Sequence, residues 1–142
     1  MEGANCVFCQ IASGAIPSLR VLETADSVAF LDVRPLAPGH LLLIPKTHYE
    51  SLLDVPAGVL GELTSQLPAL ARAVREATGA TGLNLLQNNG ASSGQVVFHL
   101  HFHLIPRRQD DGLGYRWNAG KYQDGEAESL QSRIIGAIGK RG

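Results

Sequence analysis

Only two cysteines occur in the 142 residues, Cys6 and Cys9, so no disulfide framework holds this chain together. They stand three apart, a spacing that in a reducing compartment marks a metal-binding or redox pair more often than a structural disulfide. No apolar run approaches the about 18 residues that a membrane-spanning helix needs, so no membrane partner is expected. Residues 1–9 lack the basic segment and apolar core of a signal peptide, which makes a cytoplasmic location the expectation. Neither sign of charge is in excess. Twelve Lys and Arg against 13 Asp and Glu leave a net charge of −1. Such a balance creates no global field for nucleic acid, and any phosphate site must be local. Internal repeats and low-complexity segments are also missing.

What is present is globular: 44% hydrophobic and 18% charged residues. The length suits one domain over residues 1–142, able to bury roughly 68–70% of its unfolded surface. Residues 21–23 and 28–31 read as a β-hairpin around Thr24-Ala25-Asp26-Ser27. The run 40–44 is apolar after its first residue and stops at Pro45, as a strand buried on both faces does. Val59, Leu60, Leu63, Leu67, Leu70, Ala71, Val74 and Ala77 recur at steps of three and four. They predict one long helix, opened near Asp54 and Pro56, closed at Gly79 and kinked at Pro68. Residues 83–86 form a short strand, and 88–94 a polar loop. A last strand over 96–105 is closed by Pro106. Ala127, Leu130, Ile134 and Ile138 share a face of a short C-terminal helix near 125–138. That order predicts an α+β fold with a mainly antiparallel sheet, one long central helix and the C-terminal helix.

The most informative stretch is Phe98-His99-Leu100-His101-Phe102-His103-Leu104-Ile105. Side chains alternate along a strand, so the three histidines share one face and Leu100, Phe102 and Leu104 the other. A row of imidazoles can supply a nucleophile and a proton donor near neutral pH. The same row can also be a plain exposed face, or a zinc, iron or copper centre using all three rings, as a metal-dependent oxygenase would.

The run His-Leu-His-Phe-His-Leu-Ile resembles the histidine triad motif, three histidines separated by apolar residues. Asn88-Asn89-Gly90 and Gly94-Gln95 precede it, and upstream stand Phe30-Leu31-Asp32, Pro38-Gly39-His40 and Ile44-Pro45-Lys46-Thr47-His48. All lie in the order typical of the histidine triad nucleotide-binding proteins. The resemblance covers a core of about 6–117, leaving a tail over 118–142, and Tyr115-Arg116-Trp117 resembles a C-terminal element of the bacterial branch. It implies a homodimer that binds a purine nucleotide and acts at the α-phosphorus through a nucleotidyl-histidine. Phosphoramidates are the implied substrates. Dinucleoside polyphosphate hydrolysis, or nucleotide binding with little catalysis, are the alternatives.

Carried over by position, His101 is the nucleophile, which needs an unprotonated nitrogen. His103 contacts the phosphate or leaving group, and His40 has a supporting role. The plainer alternative for His40 is a capped loop end before a buried strand. No acidic cluster for magnesium adjoins the run, so hydrogen-bond donors must meet the phosphate charge. Ser93, Gln95 and the backbone amides of Gly94 and Gln95 are the candidates. Val96 stands where some relatives carry a serine, which removes one leaving-group contact. Asp32 is carried over as ribose ligand, and Asn88 as a sugar or phosphate contact. Phe8, Ile11, Phe30 and Val33 match the apolar base pocket, and would otherwise read as core.

For Cys6-Val7-Phe8-Cys9 a thioredoxin-like role needs a βαβ context, whereas a loop and hairpin follow here. In bacterial members of the family an upstream histidine and the first triad histidine join two cysteines on zinc. The resemblance thus implies a structural zinc on Cys6, Cys9, His48 and His99.

Overall fold

The computed structural model describes residues 5–114 and 118–141, so Tyr115, Arg116 and Trp117 lie outside the described residues. Helix α1 (Val7–Ser13) leads into the strands β1 (Arg20–Glu23), β2 (Ser27–Leu31) and β3 (Leu41–Pro45). Helices α2 (Ala57–Thr64) and α3 (Leu67–Thr78) follow, then β4 (Gly82–Leu86), β5 (Phe102–Arg107) and α4 (Glu126–Arg141). The five strands form one antiparallel sheet in the order β1-β2-β3-β5-β4. The fold is α+β, as the order of elements predicts.

Strand β3 is buried at every position, because both faces of the sheet are covered. On one face Ala29, Leu41, Leu43, Phe102 and Leu104 pack with Leu63, Leu70 and Val74 of α2 and α3. On the other, Val28, Phe30, Leu42 and Ile44 pack with Cys6, Phe8 and Ile11, so α1 covers that face. Burying one such side chain contributes about 1.5–3 kcal/mol, and the alternation along β2 and β3 assigns each to its layer.

The central helix is bent, and its break lies just ahead of Pro68. Ser65 and Gln66 separate α2 from α3 yet keep right-handed helical dihedrals. Pro68 then falls in the first turn of α3, where its missing N–H leaves no bond unmade. Gly39 sits at φ +97°, and a Cβ there would lie 2.6 Å from the Thr78 side chain. Only glycine lets the loop before β3 approach the end of α3 this closely, and that approach places His40.

The last strand differs from the expectation at both ends. It begins at Phe102, not 96, and it runs through Pro106 to Arg107. The β3–β5 ladder ends at the pair Leu43–Phe102. Pro45 has no N–H with which to extend it, and a backbone bond from Leu100 N–H to Tyr49 O (2.7 Å) helps tie the next stretch. Pro106 is tolerated because β3 has already ended beside Leu104, so no β3 acceptor awaits its missing hydrogen. Helix α4 forms where the apolar spacing places it, with Ala127 and Leu130 half-buried but Ile134 and Ile138 exposed. No helix among the described residues is long and apolar enough to cross a membrane.

Candidate active site

Of the three histidines in alternation, only His103 stands in a strand; His99 and His101 lie in the bend that leads into β5. The two-sided division survives without the strand. Leu100, Phe102 and Leu104 enter the core beneath α2 and α3, while Phe8 of α1 meets both His99 and His101 edge-on, at ring-centre distances of 5.9 and 5.0 Å.

His99 is fully buried, and its Nε2–H donates to the Pro45 carbonyl at 2.8 Å. Its Nδ1 therefore presents a lone pair, 3.3 Å from Cys6 Sγ and 3.6 Å from Cys9 Sγ. His48 Nδ1 lies 3.4 Å from Cys9 Sγ. The four donor atoms are all within 4.8 Å of one another. Cys6 also caps α1, its Sγ accepting from Cys9 N–H at 3.3 Å. Tetrahedral bonds of about 2.0–2.3 Å put N and S donors roughly 3.3–3.8 Å apart, a range that the 3.3, 3.4 and 3.6 Å separations fall within, so this Cys2His2 set fits a metal ion. Burial pushes His99 down to about 4, which keeps it in the neutral form a metal requires. The Pro45 carbonyl orients the ring from behind.

His101 is buried, and its Nδ1–H donates to the carbonyl of His99 at 2.7 Å. Its Nε2 is then unprotonated. Burial lowers its pKa from the ordinary value, against the weaker opposing effect of the His99 carbonyl and of Asp32. The ring centre of His103 lies 4.9 Å away. His103 is pushed down to about 4, by burial first and by His101 and His40 next. Behind it His40, 2% exposed, places Nε2 at 2.9 Å from His103 Nδ1. His40 Nδ1 accepts from Leu36 N–H at 3.1 Å. Its pKa is lowered by burial, partly offset by the Asp32 carboxylate 3.8 Å off.

His101 and His103 open onto a cavity of about 540 Å³. Phe8, Ile11, Phe30, Asp32, Val33 and Gly94, all candidates from the sequence, line it. Val96, singled out in the sequence for the serine it replaces, lines it as well. So do Val7, Ile16, Pro17, Ser18, Leu31, Arg34, Leu42 and Val97, which sequence reasoning did not assign to a site. Residues 16–18 connect α1 to β1 without any periodic signal, and only the packing of α1 on the sheet brings them to the cavity. Asp32 Oδ1 also accepts from Arg34 N–H at 2.9 Å.

The loop before the triad is more self-contained than expected. Gln95 is buried; its amide donates to Glu50 O (2.8 Å) and Val97 O (3.1 Å), and its Oε1 accepts from Gly90 N–H (2.7 Å). The Gly94 and Gln95 amides donate to Ala91 O and Gly90 O, so both are engaged inside the loop. Ser93 Oγ donates to Gly90 O at 2.8 Å. Asn88 packs beside Gly94, 3.6 Å from where a Cβ would stand. Of Asn88, Ser93, Gly94 and Gln95, the cavity wall includes Gly94 alone.

A histidine run leading into the sheet beside an apolar cavity defines the class, and residues 13–110 match the HIT domain: the chain belongs to the HIT family. It is 44% identical over 136 residues to the adenosine 5'-monophosphoramidase HNT1 of Saccharomyces cerevisiae, covering 95% of this chain and 84% of that one. It is 45% identical over 109 residues to the adenylylsulfatase HINT3 of Arabidopsis thaliana, covering 77% of this chain but 55% of that protein. Among solved structures, a HIT family member from Bacillus subtilis superposes with a TM-score of 0.87 at 40% identity, covering 92% of this chain and 95% of that one. A Zn-bound histidine triad protein from Mycobacterium smegmatis superposes with a TM-score of 0.74 at 36% identity, covering 94% of this chain and 97% of that one.

Proposed function

We propose that this protein is a nucleotide hydrolase of the zinc-containing bacterial branch, acting on purine nucleoside phosphoramidates through a nucleotidyl-His101 intermediate. One observation carries the reading: His101 donates Nδ1–H to the His99 carbonyl, which leaves Nε2 unprotonated on a ring that lines the cavity. Nε2 attacks the α-phosphorus, the N–P bond to His101 forms, and the bond to the leaving amine breaks. The amine takes its proton from water. The imidazolium so formed keeps its Nδ1–H on the His99 carbonyl, an acceptor that gains strength as the ring becomes cationic. Water then attacks the same phosphorus, releasing the nucleoside monophosphate and the free imidazole. His103 supplies a hydrogen bond to the phosphate or leaving group.

Asp32 accepts from the ribose hydroxyls at the cavity wall. Asn88, Ser93, Gly94 and Gln95 shape the phosphate end, with Gly94 against the ligand and Gln95 bracing the loop. Phe8, Ile11, Phe30 and Val33 hold the base through apolar contact. The yeast relative's name, a monophosphoramidase, favours P–N cleavage; the plant relative's name, an adenylylsulfatase, keeps P–O cleavage as the second reading. Cys6, Cys9, His48 and His99 hold zinc, which when bound supplies a structural crosslink. That link fixes His99, whose carbonyl orients the nucleophile.

The molecule acts in the cytoplasm as one domain and as a homodimer. Edge strand β4 exposes Leu85 and Leu86, 51% and 42%, which a second copy would cover. The test is turnover of an adenosine phosphoramidate by the wild type and by His101→Ala. Equal rates would remove His101 as nucleophile.

A further inference from the structure

We propose that the Leu36 amide and His40 form a one-way hydrogen-bond relay that fixes His103 as a ring with its proton on Nε2. His40 is then a positioning residue and does not touch the phosphate. The direction of the relay follows from one group that can only donate. A main-chain N–H has no acceptor capacity, and Leu36 N lies 3.1 Å from His40 Nδ1, so that nitrogen carries no proton. His40 is 2% exposed, and burial favours its neutral form, which puts its single proton on Nε2. That Nε2–H points at His103 Nδ1, 2.9 Å away, which must accept. His103, also held neutral by burial, has its proton on Nε2. The His103 ring lines the cavity and His40 does not, so this N–H is the one left for a ligand.

Two adjacent rings thereby receive opposite polarity from the backbone. The His99 carbonyl makes His101 present a lone pair, and the Leu36 amide, through His40, makes His103 present a hydrogen. A reversed His103 would set a lone pair against anionic phosphate oxygens. The relay also bears on the donor atoms of Asp32, His40 and His103, which lie within 4.8 Å of one another as metal ligands do. A cation there would need the His40 proton on Nδ1, facing the Leu36 N–H. Metal binding and the relay are mutually exclusive.

The polarity is read without nucleotide; only its use in catalysis rests on the proposed function. The experiment is 15N NMR of the imidazole nitrogens in the full-length, metal-loaded chain at pH 7. Wild type, Leu36→Pro (which deletes the donor amide), His40→Ala and His40→Gln are compared. The wild type should show His103 as a single Nε2–H tautomer. Leu36→Pro and His40→Ala should show a mixture with Nδ1–H. His40→Gln should restore the single form, because the Leu36 amide holds its oxygen and turns its NH2 to His103. In turnover, kcat of His40→Ala should fall on the order of 10²-fold, with KM changing less, and His40→Gln should stay at least about tenfold above it. Should Leu36→Pro fail to fold, the two His40 variants carry the test. A wild-type His103 protonated on Nδ1, or a tautomer indifferent to His40→Ala, overturns the relay. A confirmed tautomer in a protein that hydrolyses no nucleotide supports the relay and sinks the hydrolase reading instead.

Discussion

His99 and His101 are two residues apart, yet they end in opposite surroundings. His99 is sealed, with a carbonyl on one nitrogen and two thiols near the other. His101 has a carbonyl on one nitrogen and borders a cavity of about 540 Å³. A closed donor set leaves no position for substrate, whereas a lone pair directed by the backbone beside a cavity is what the proposed chemistry needs. The difference is one of partners and not of residue type, since both rings are neutral, buried histidines.

The sharpest way to break this contrast is to exchange the two losses. His101→Ala should lower phosphoramidate turnover by at least about 10³-fold and leave metal content at one ion per chain, measured by elemental analysis. Cys6→Ser should do the reverse. It should lose the ion and cost on the order of 3 kcal/mol of unfolding free energy in urea, with a smaller loss of turnover, because the nucleophile is still present. A Cys6→Ser protein that keeps both metal and stability would dissolve the closed half of the comparison.

A pH titration sharpens the open half. The folded pKa of His103 is lowered to about 4 from an ordinary 6.5, so between those values the unfolded chain binds the extra proton. Its contribution to stability is complete above about pH 6.5 and is lost as pH falls towards 4. Urea midpoints at pH 7 and 4.5 should differ less in His103→Gln than in the wild type. On the rate side, the acid limb of kcat/KM should lie below 6.5, because burial lowers His101 as well. The smallest effect concerns the cavity wall. Ser18 Oγ is buried without a hydrogen-bond partner among the described residues. Ser18→Ala should therefore raise stability by about 1 kcal/mol, read as a higher urea midpoint at unchanged slope.

Much of this was legible in the residues. The hairpin, the strand buried on both faces and the bent helix all follow from period and turn chemistry. The alternation of histidine with leucine and phenylalanine correctly separates two sides, although the strand invoked for it starts only at Phe102. Strand ends were less legible, because Pro106 stops a strand only where a neighbour needs its hydrogen, and here none does. Gln95 reads as a phosphate donor until its amide is seen bonded to Glu50 and Val97. Ile16, Pro17 and Ser18 carry no pattern that announces a cavity.

The chain's own text determined the layers of the core and the inventory of ligands, because apolar spacing and side-chain chemistry are written residue by residue. Which nitrogen of His99, His101 and His40 carries the proton was decided only in three dimensions. Those positions are set by the backbone groups of His99, Pro45 and Leu36, and every residue but proline carries the same N–H and C=O. Their partners are chosen by where the fold places them.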